Sequence, residues 1–381
     1  MSKTLWGLLA IQFLCINSLW AQIPLPDTTD GVISVFVPLG AYDSDQGLIG
    51  GGVFQRINYG EELSRPFTNR LSFQALVSTK GYLSGKAEFE TSRTFGQRLE
   101  SRWTLEGERL IKSNFFGVGN EASFEQEQYD QGIYFFEDRQ VRFDYRGRYP
   151  LYSDPDRGGL EGVLLFGLNW SSPKVKSEQS IYALQAPHGS SGGWVNLAGG
   201  GVILDRRDNR FNPSSGYRIE ANLSYSGPLT ASNYTFNSMM AEFRYFRSLH
   251  SRITVAQKLE FQARSGNPPF WNLANLGSEN GLRGYALNRF MGDASVLYIA
   301  EVRTWMFSMW DEMVRVGGQL FFDTGRVFEQ GELPKELRRE WKYTWGAGGA
   351  ISILNPDFIL RGDIGFSGEM IRIYAGVGYL F

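Results

Sequence analysis

The chain has one cysteine, Cys15, so it can close no internal disulfide, and its two histidines, His188 and His250, fall in separate connecting segments where they cannot share a site. There is no G-x-S-x-G elbow, and a Ser/His hydrolase would need its partners on neighbouring strands. Asp43-Ser44-Asp45-Gln46-Gly47 lacks the remaining ligands of a calcium loop and reads as a polar hairpin. Gly199-Gly200-Gly201 lies within an alternating run rather than before a helix, so it does not cradle a phosphate. No catalytic residue, metal or cofactor is therefore expected. Charge of one sign is lacking too: 38 basic residues against 40 acidic give a net of −2, which offers nothing to nucleic acid. Beyond the first twenty residues or so, no run approaches the roughly 18 to 20 apolar residues of a spanning helix.

What is present points to strands and to export. Lys3, an apolar run from Leu5 to Ile16, and Ser18-Leu19-Trp20-Ala21 before Gln22 form a secretory signal peptide over 1–21. Leu14 is too large to precede a lipidated cysteine, so Cys15 belongs to the discarded apolar segment. Residues 22–30, with Pro24 and Pro26, read as a short periplasmic leader, and 31–381 as one domain. With 28 Phe, 18 Tyr, 10 Trp and 45 Gly against 14 Pro, the composition favours strands. A mean hydropathy of −0.26 suits a transmembrane barrel, whose strands alternate lipid-facing and lumen-facing residues.

The alternation is explicit. Tyr217, Ile219, Ala221, Leu223 and Tyr225 oppose Arg218, Glu220, Asn222 and Ser224; Ile253, Val255, Leu259, Phe261 and Ala263 oppose Arg252, Lys258, Glu260, Gln262 and Arg264. Charge this dense on one face cannot line a dry core. A soluble sandwich with its charges in bulk water is the alternative. The pattern predicts an all-β fold, a 16-stranded antiparallel transmembrane β-barrel, with strands at 32–39, 47–58, 68–80, 83–93, 97–112, 130–147, 159–172, 193–206, 215–226, 233–247, 251–264, 293–307, 313–327, 341–353, 357–366 and 369–381. Counted from a periplasmic start, the long connections (113–129, 173–192, 265–292 and 328–340) fall outside and most even-numbered turns are short, the asymmetry of outer-membrane barrels.

Four stretches carry a family resemblance: Arg283-Gly284-Tyr285 in the longest outer connection, Phe321-Phe322-Asp323 on a following strand, Asn114-Phe115-Phe116-Gly117-Val118-Gly119-Asn120, and the turn Asp205-Arg206-Arg207-Asp208-Asn209-Arg210-Phe211-Asn212-Pro213-Ser214-Ser215-Gly216. Taken in their order along the chain, from Asn114 to Asp323, they resemble the BamA/TamA superfamily of outer-membrane barrels, also called the bacterial surface antigen family. The resemblance implies a loop that folds into the barrel, its arginine meeting the acid of an F-x-D motif. Here that latch comprises Arg283, Gly284 and Tyr285 with Phe321 and Asp323. Glu301, Arg303 and Arg315 are expected to point inward and share the network. From spacing alone, Asp323 could equally pair with Arg315 on its own strand.

Two further features bear on the ends of the sheet. Pro38 removes a donor near the outer end of the first strand, Gly376 and Gly378 loosen the last, and the resemblance implies that this seam opens sideways as a lateral gate; Pro38 could instead start a turn into Ala41-Tyr42-Asp43. Ile371 to Phe381 alternate and finish on an aromatic, so Tyr379 and Phe381 read as a C-terminal insertion signal. The expected role is insertion or translocation of proteins at the outer membrane of a diderm bacterium. Outer-membrane lipid and client outer-membrane or secreted proteins are its partners. Because only 22–30 precede the barrel here, POTRA domains are not expected, and a separate periplasmic or lipoprotein partner would replace them. The alternative is a passive or gated pore, a lipid or small-solute conduit without insertase activity; a structural or adhesive barrel is a third class.

Overall fold

The structure is a computed structural model that describes residues 31–43, 46–59, 67–94, 96, 98–154, 158–210, 212–278, 281–310, 314–329, 332, 339–353 and 359–381. The expected signal peptide and leader lie outside these residues.

Sixteen strands build the wall: β1 Val32–Asp43, β2 Gly47–Asn58, β3 Asn69–Ser78, β4 Leu83–Thr91, β5 Glu100–Asn114, β6 Phe135–Asp154, β7 Gly158–Ser171, β8 Gly193–Asp205, β9 Gly216–Ser226, β10 Phe236–His250, β11 Ile253–Gly266, β12 Ala294–Met309, β13 Val314–Phe328, β14 Lys342–Ile353, β15 Ile359–Phe366 and β16 Ile371–Val377. Each pairs antiparallel with the next. The sheet curls until β16 lies beside β1, yet among the described residues no ladder joins those two strands. Among the described residues the connections hold two short α-helices, α1 Gln126–Asp130 and α2 Ile181–Gln185, and a small ribbon pairing Ala274–Leu276 with Phe290–Gly292.

Period-2 patterning sets which face meets lipid. Along β9, Ile219 and Leu223 are exposed on the outer surface while Glu220 and Asn222 are buried inside. Phe54, Phe73, Leu105, Leu164, Val202, Leu259, Val302 and Leu320 continue the outward apolar belt. Inside, the wall from β3 to β11 carries paired charges: Arg70 with Glu88 and Glu90, Arg142 with Glu106 and Glu108, Arg218 with Glu220 and Glu242, and Lys258 with Glu242 and Glu260. Arg146 on β6 reaches Glu220 on β9 at 2.5 Å, past the two strands between them.

The strands depart from expectation by four residues or more at four ends, the first being β1, which runs to Asp43 rather than 39. β6 begins at Phe135 rather than 130, because 126–130 closes a helical turn in which Gln126 donates to Asp130 (2.9 Å) and Gln131 to Glu127 (3.2 Å), both i,i+4 pairs. It continues to Asp154 rather than 147, passing a register shift between Pro150 and Tyr152 where the proline has no donor for the ladder. The last strand stops at Val377 rather than 381: Gly378 adopts φ +80° and turns the chain away from the sheet.

Candidate functional site: an arginine bound inside the barrel

The 267–293 connection leaves β11 at the outer rim and folds into the lumen. Its glycines make that path possible at two points. Gly277 has φ +124° and would bring a Cβ within 2.1 Å of the Ala286 carbonyl oxygen; Gly284 has φ +104° and a Cβ there would lie 2.9 Å from the Phe366 backbone. The facing wall is apolar where the loop docks, with Phe246, Ala256, Leu297, Ile299 and Val327 packing around Leu276, Leu282, Tyr285 and Phe290.

Within this core Arg283 is fully buried. Its Nε and Nη2 donate to the two Asp323 oxygens at 2.9 and 2.7 Å, its backbone N–H donates to Asp323 at 3.2 Å, and its Nη1 donates to Glu301 at 2.7 Å. The guanidinium lies 3.4 Å over the Phe321 ring, and Asp363 is 3.8 Å from Nη1. A planar fork matched to a carboxylate, with an aromatic face beneath it, uses most of what distinguishes arginine from lysine. Glu301 bridges onward to Arg303, whose Nε donates to it at 2.9 Å. Asp323 also accepts from Thr344 at 3.3 Å, and Asp363 from Arg361 at 2.5 Å and from Gln319. Around Gly284, its N–H donates to the Tyr374 hydroxyl at 3.1 Å and its carbonyl accepts from Ser367 at 2.9 Å, fixing the loop to β16 and the turn before it.

Of the residues expected to meet, Arg283, Gly284, Tyr285, Phe321, Asp323, Glu301 and Arg303 come together. Arg315 shares their face of β13 but lies eight residues from Asp323, roughly 27 Å along the strand, so those two do not pair with each other; Gln319 and Asp363 complete the cluster around Arg283. Pro38 sits in the middle of β1, opposite Gly52, and the strand runs past it to Asp43, so it neither marks the outer end nor starts a turn. Gly376 pairs with Arg361 inside β16. Tyr379 and Phe381 do not extend the strand: past Gly378 they enter the lumen, where the Arg303 guanidinium lies 4.1 and 4.9 Å from their ring centres and Nη2 donates to the Phe381 carbonyl at 3.1 Å. Phe381 joins the same apolar core as the inward loop.

Sequence reasoning missed a second anchor. Arg289, almost fully buried, donates Nε and Nη2 to Glu369 at 2.7 and 2.8 Å and Nη2 to the Ala122 carbonyl at 2.7 Å. It also missed that the loop after β5 packs over the site: Asn120 Nδ2 donates to the Val327 carbonyl at 2.9 Å while its Oδ1 accepts from the Val327 N–H at 3.1 Å, the Gly119 N–H donates to Met291 at 2.7 Å, and Asn114 donates to Leu287 at 3.0 Å. The motif containing Asn120 was legible; what it touches, some 200 residues away, was not.

Comparison with known proteins places this architecture. The model of the Omp85 superfamily domain matches residues 68–381. BamA from Haemophilus ducreyi lacking POTRA domains 1–3 is similar at 12% identity and a TM-score of 0.59, the match covering 92% of this chain and 70% of that one. CdiB from Escherichia coli is similar at 12% identity and 0.59, covering 93% and 64%, and CdiB from Acinetobacter baumannii at 12% and 0.50, covering 90% and 58%. This chain thus spans under two-thirds of either CdiB chain, and at such identities the likeness speaks for the fold. No curated protein sequence matches it. The family match covers β3 to β16 with both arginine anchors, sets aside the soluble sandwich, and leads to one conclusion: the chain belongs to the Omp85 superfamily and is a bacterial outer-membrane β-barrel.

Proposed function

We propose that this barrel assists the insertion or translocation of client proteins at the outer membrane, with the 267–293 loop as an internal latch and the β1–β16 seam as a lateral exit. The observation that carries the reading is the contrast at the seam: every other pair of neighbouring strands is joined by a ladder, while β1 and β16 lie side by side with none among the described residues. An unpaired edge is a template for an incoming strand. The latch keeps the loop and its apolar face inside through Arg283, Asp323 and Glu301, and Tyr379 and Phe381 act as an insertion signal before they fold inward. Clients are outer-membrane or secreted proteins.

A gated conduit is the second reading, favoured by the charged wall from β3 to β11, where Arg102 and Arg142 keep 41% and 37% of their side-chain surface exposed. Liposomes carrying the purified protein separate the two. Faster folding of an added client barrel than in protein-free liposomes is the expected result. No acceleration, together with steady conductance for small ions, refutes the insertion role in favour of the conduit.

A further inference from the structure

The seam strand and the residues on either side of it are tied to the inside of the barrel. Tyr374 holds Gly284, Phe381 is held by Arg303, and the turn before β16 carries Glu369, the partner of Arg289. Its outer end has a different holder. Arg372, nearly fully buried, donates Nη2 to the Tyr129 hydroxyl at 2.9 Å and lies 5.7 Å over the Tyr129 ring. Tyr129 belongs to α1, in loop 115–134, which enters from β5, far round the barrel. The same loop offers the Ala122 carbonyl to Arg289 and stacks Phe116 on Tyr129 with ring centres 6.3 Å apart, and Met370 packs into that cluster. The loop therefore grips β16 directly and grips the inward loop through the arginine that binds the β15–β16 turn.

We propose that loop 115–134 is a brace for the seam strand: it positions the outer end of β16 through Tyr129 and Arg372 and couples that strand to the inward loop through Arg289 and Glu369. The proposal rests on reading the β1–β16 seam as an exit. A strand bonded this way is released only when the brace lets go, so loosening the brace loosens the seam and the inward loop together. Both contacts are charge-assisted, which makes them strong when buried yet separable by losing one donor or acceptor.

The test is hydrogen exchange on the full chain in liposomes. Tyr129→Phe removes one hydroxyl and keeps the ring on Phe116; Glu369→Gln weakens the second tie without changing shape. Each variant is expected to speed exchange in 371–377 and in 281–292 by about tenfold, the factor for one lost charge-assisted bond in a local opening equilibrium, leaving 69–91 at the wild-type rate. Unchanged exchange in 371–377 while 115–134 itself loosens overturns the brace. Folding of an added client barrel keeps the two ideas apart. A loosened β16 with unaltered client folding supports the brace and removes the exit reading. An unmoved β16 in both variants, with client folding lost in Arg283→Ala, overturns the brace and leaves the exit reading standing.

Discussion

Removing the side chain of Arg283 is the most demanding test of the latch. Arg283→Ala deletes the three side-chain hydrogen bonds to Asp323 and Glu301 and leaves those two carboxylates, with Asp363 nearby, fully buried and short of their shared cation. Breaking a buried pair by removing one partner costs about 3–5 kcal/mol, which shifts the docking equilibrium of the loop by roughly two to three and a half decades. Solvent screening does not reduce the figure, because neither Arg283 nor the two acids reaches water. The barrel wall, made of long ladders, stays folded. The loss should therefore be local: exchange of amides in 281–292 rises by about a hundredfold or more while 69–91 is unmoved, and steady conductance in planar bilayers increases as the loop leaves the lumen. Arg283→Lys retains the charge without the two-pronged geometry and falls between the two. Exchange in Arg283→Ala within about twofold of wild type, with no change in conductance, would refute the claim that this side chain holds the loop.

Three more outcomes follow from the geometry. Gly284→Ala places a methyl against the Phe366 backbone at a φ of +104° and should expose the loop to limited proteolysis much as Arg283→Ala does, at a strain cost of about 1–3 kcal/mol. Asn120→Ala leaves the Val327 N–H without its partner and the Val327 carbonyl with only the longer bond from Arg326 Nε at 3.4 Å, and should lower the urea midpoint in micelles by the equivalent of about 1–3 kcal/mol. In the turn between β8 and β9, burial pushes the Asp208 carboxyl up, but hydrogen bonds from the Ser214 hydroxyl and the Ser215, Ser214 and Asn209 amides outweigh it and hold the carboxyl below its ordinary value. Since the folded value is the lower one, this stabilisation is complete above about pH 4 and is lost as pH falls through the lowered value; proteolytic nicking of the turn should rise at acid pH in the native chain, and Asp208→Asn should flatten that dependence.

The wall of this barrel was easy to read from its sequence because lipid on one side and a wet lumen on the other impose a strict two-residue period, which Ile219, Glu220, Asn222 and Leu223 obey. Strand ends were harder where a local contact competes with the ladder: the Gln126–Asp130 and Glu127–Gln131 pairs draw the segment before β6 into a helical turn, and Gly378 bends the chain off β16. For the site, period alone gives the face of a residue and not its depth. Arg315 and Asp323 share a face and lie far apart along it. Arg289 was visible as an arginine before an aromatic, but its acid, Glu369, stands 80 residues later in a turn with no pattern of its own. Phe381 fits the outward series by parity, and only the three-dimensional path past Gly378, toward Arg303, places it within.

The interleaved acids and bases on the inner wall have an electrical consequence. Neighbouring strands are about 4.8 Å apart, whereas ions at physiological strength screen over about 8 Å. Opposite signs set as closely as Arg70 with Glu88, or Arg142 with Glu106, cancel before any diffusing charge can sense them singly. Such a surface presents alternating charge with little net sign, so under the proposed translocation role an unfolded segment passing along it would be neither drawn in nor arrested by the sign of its own residues.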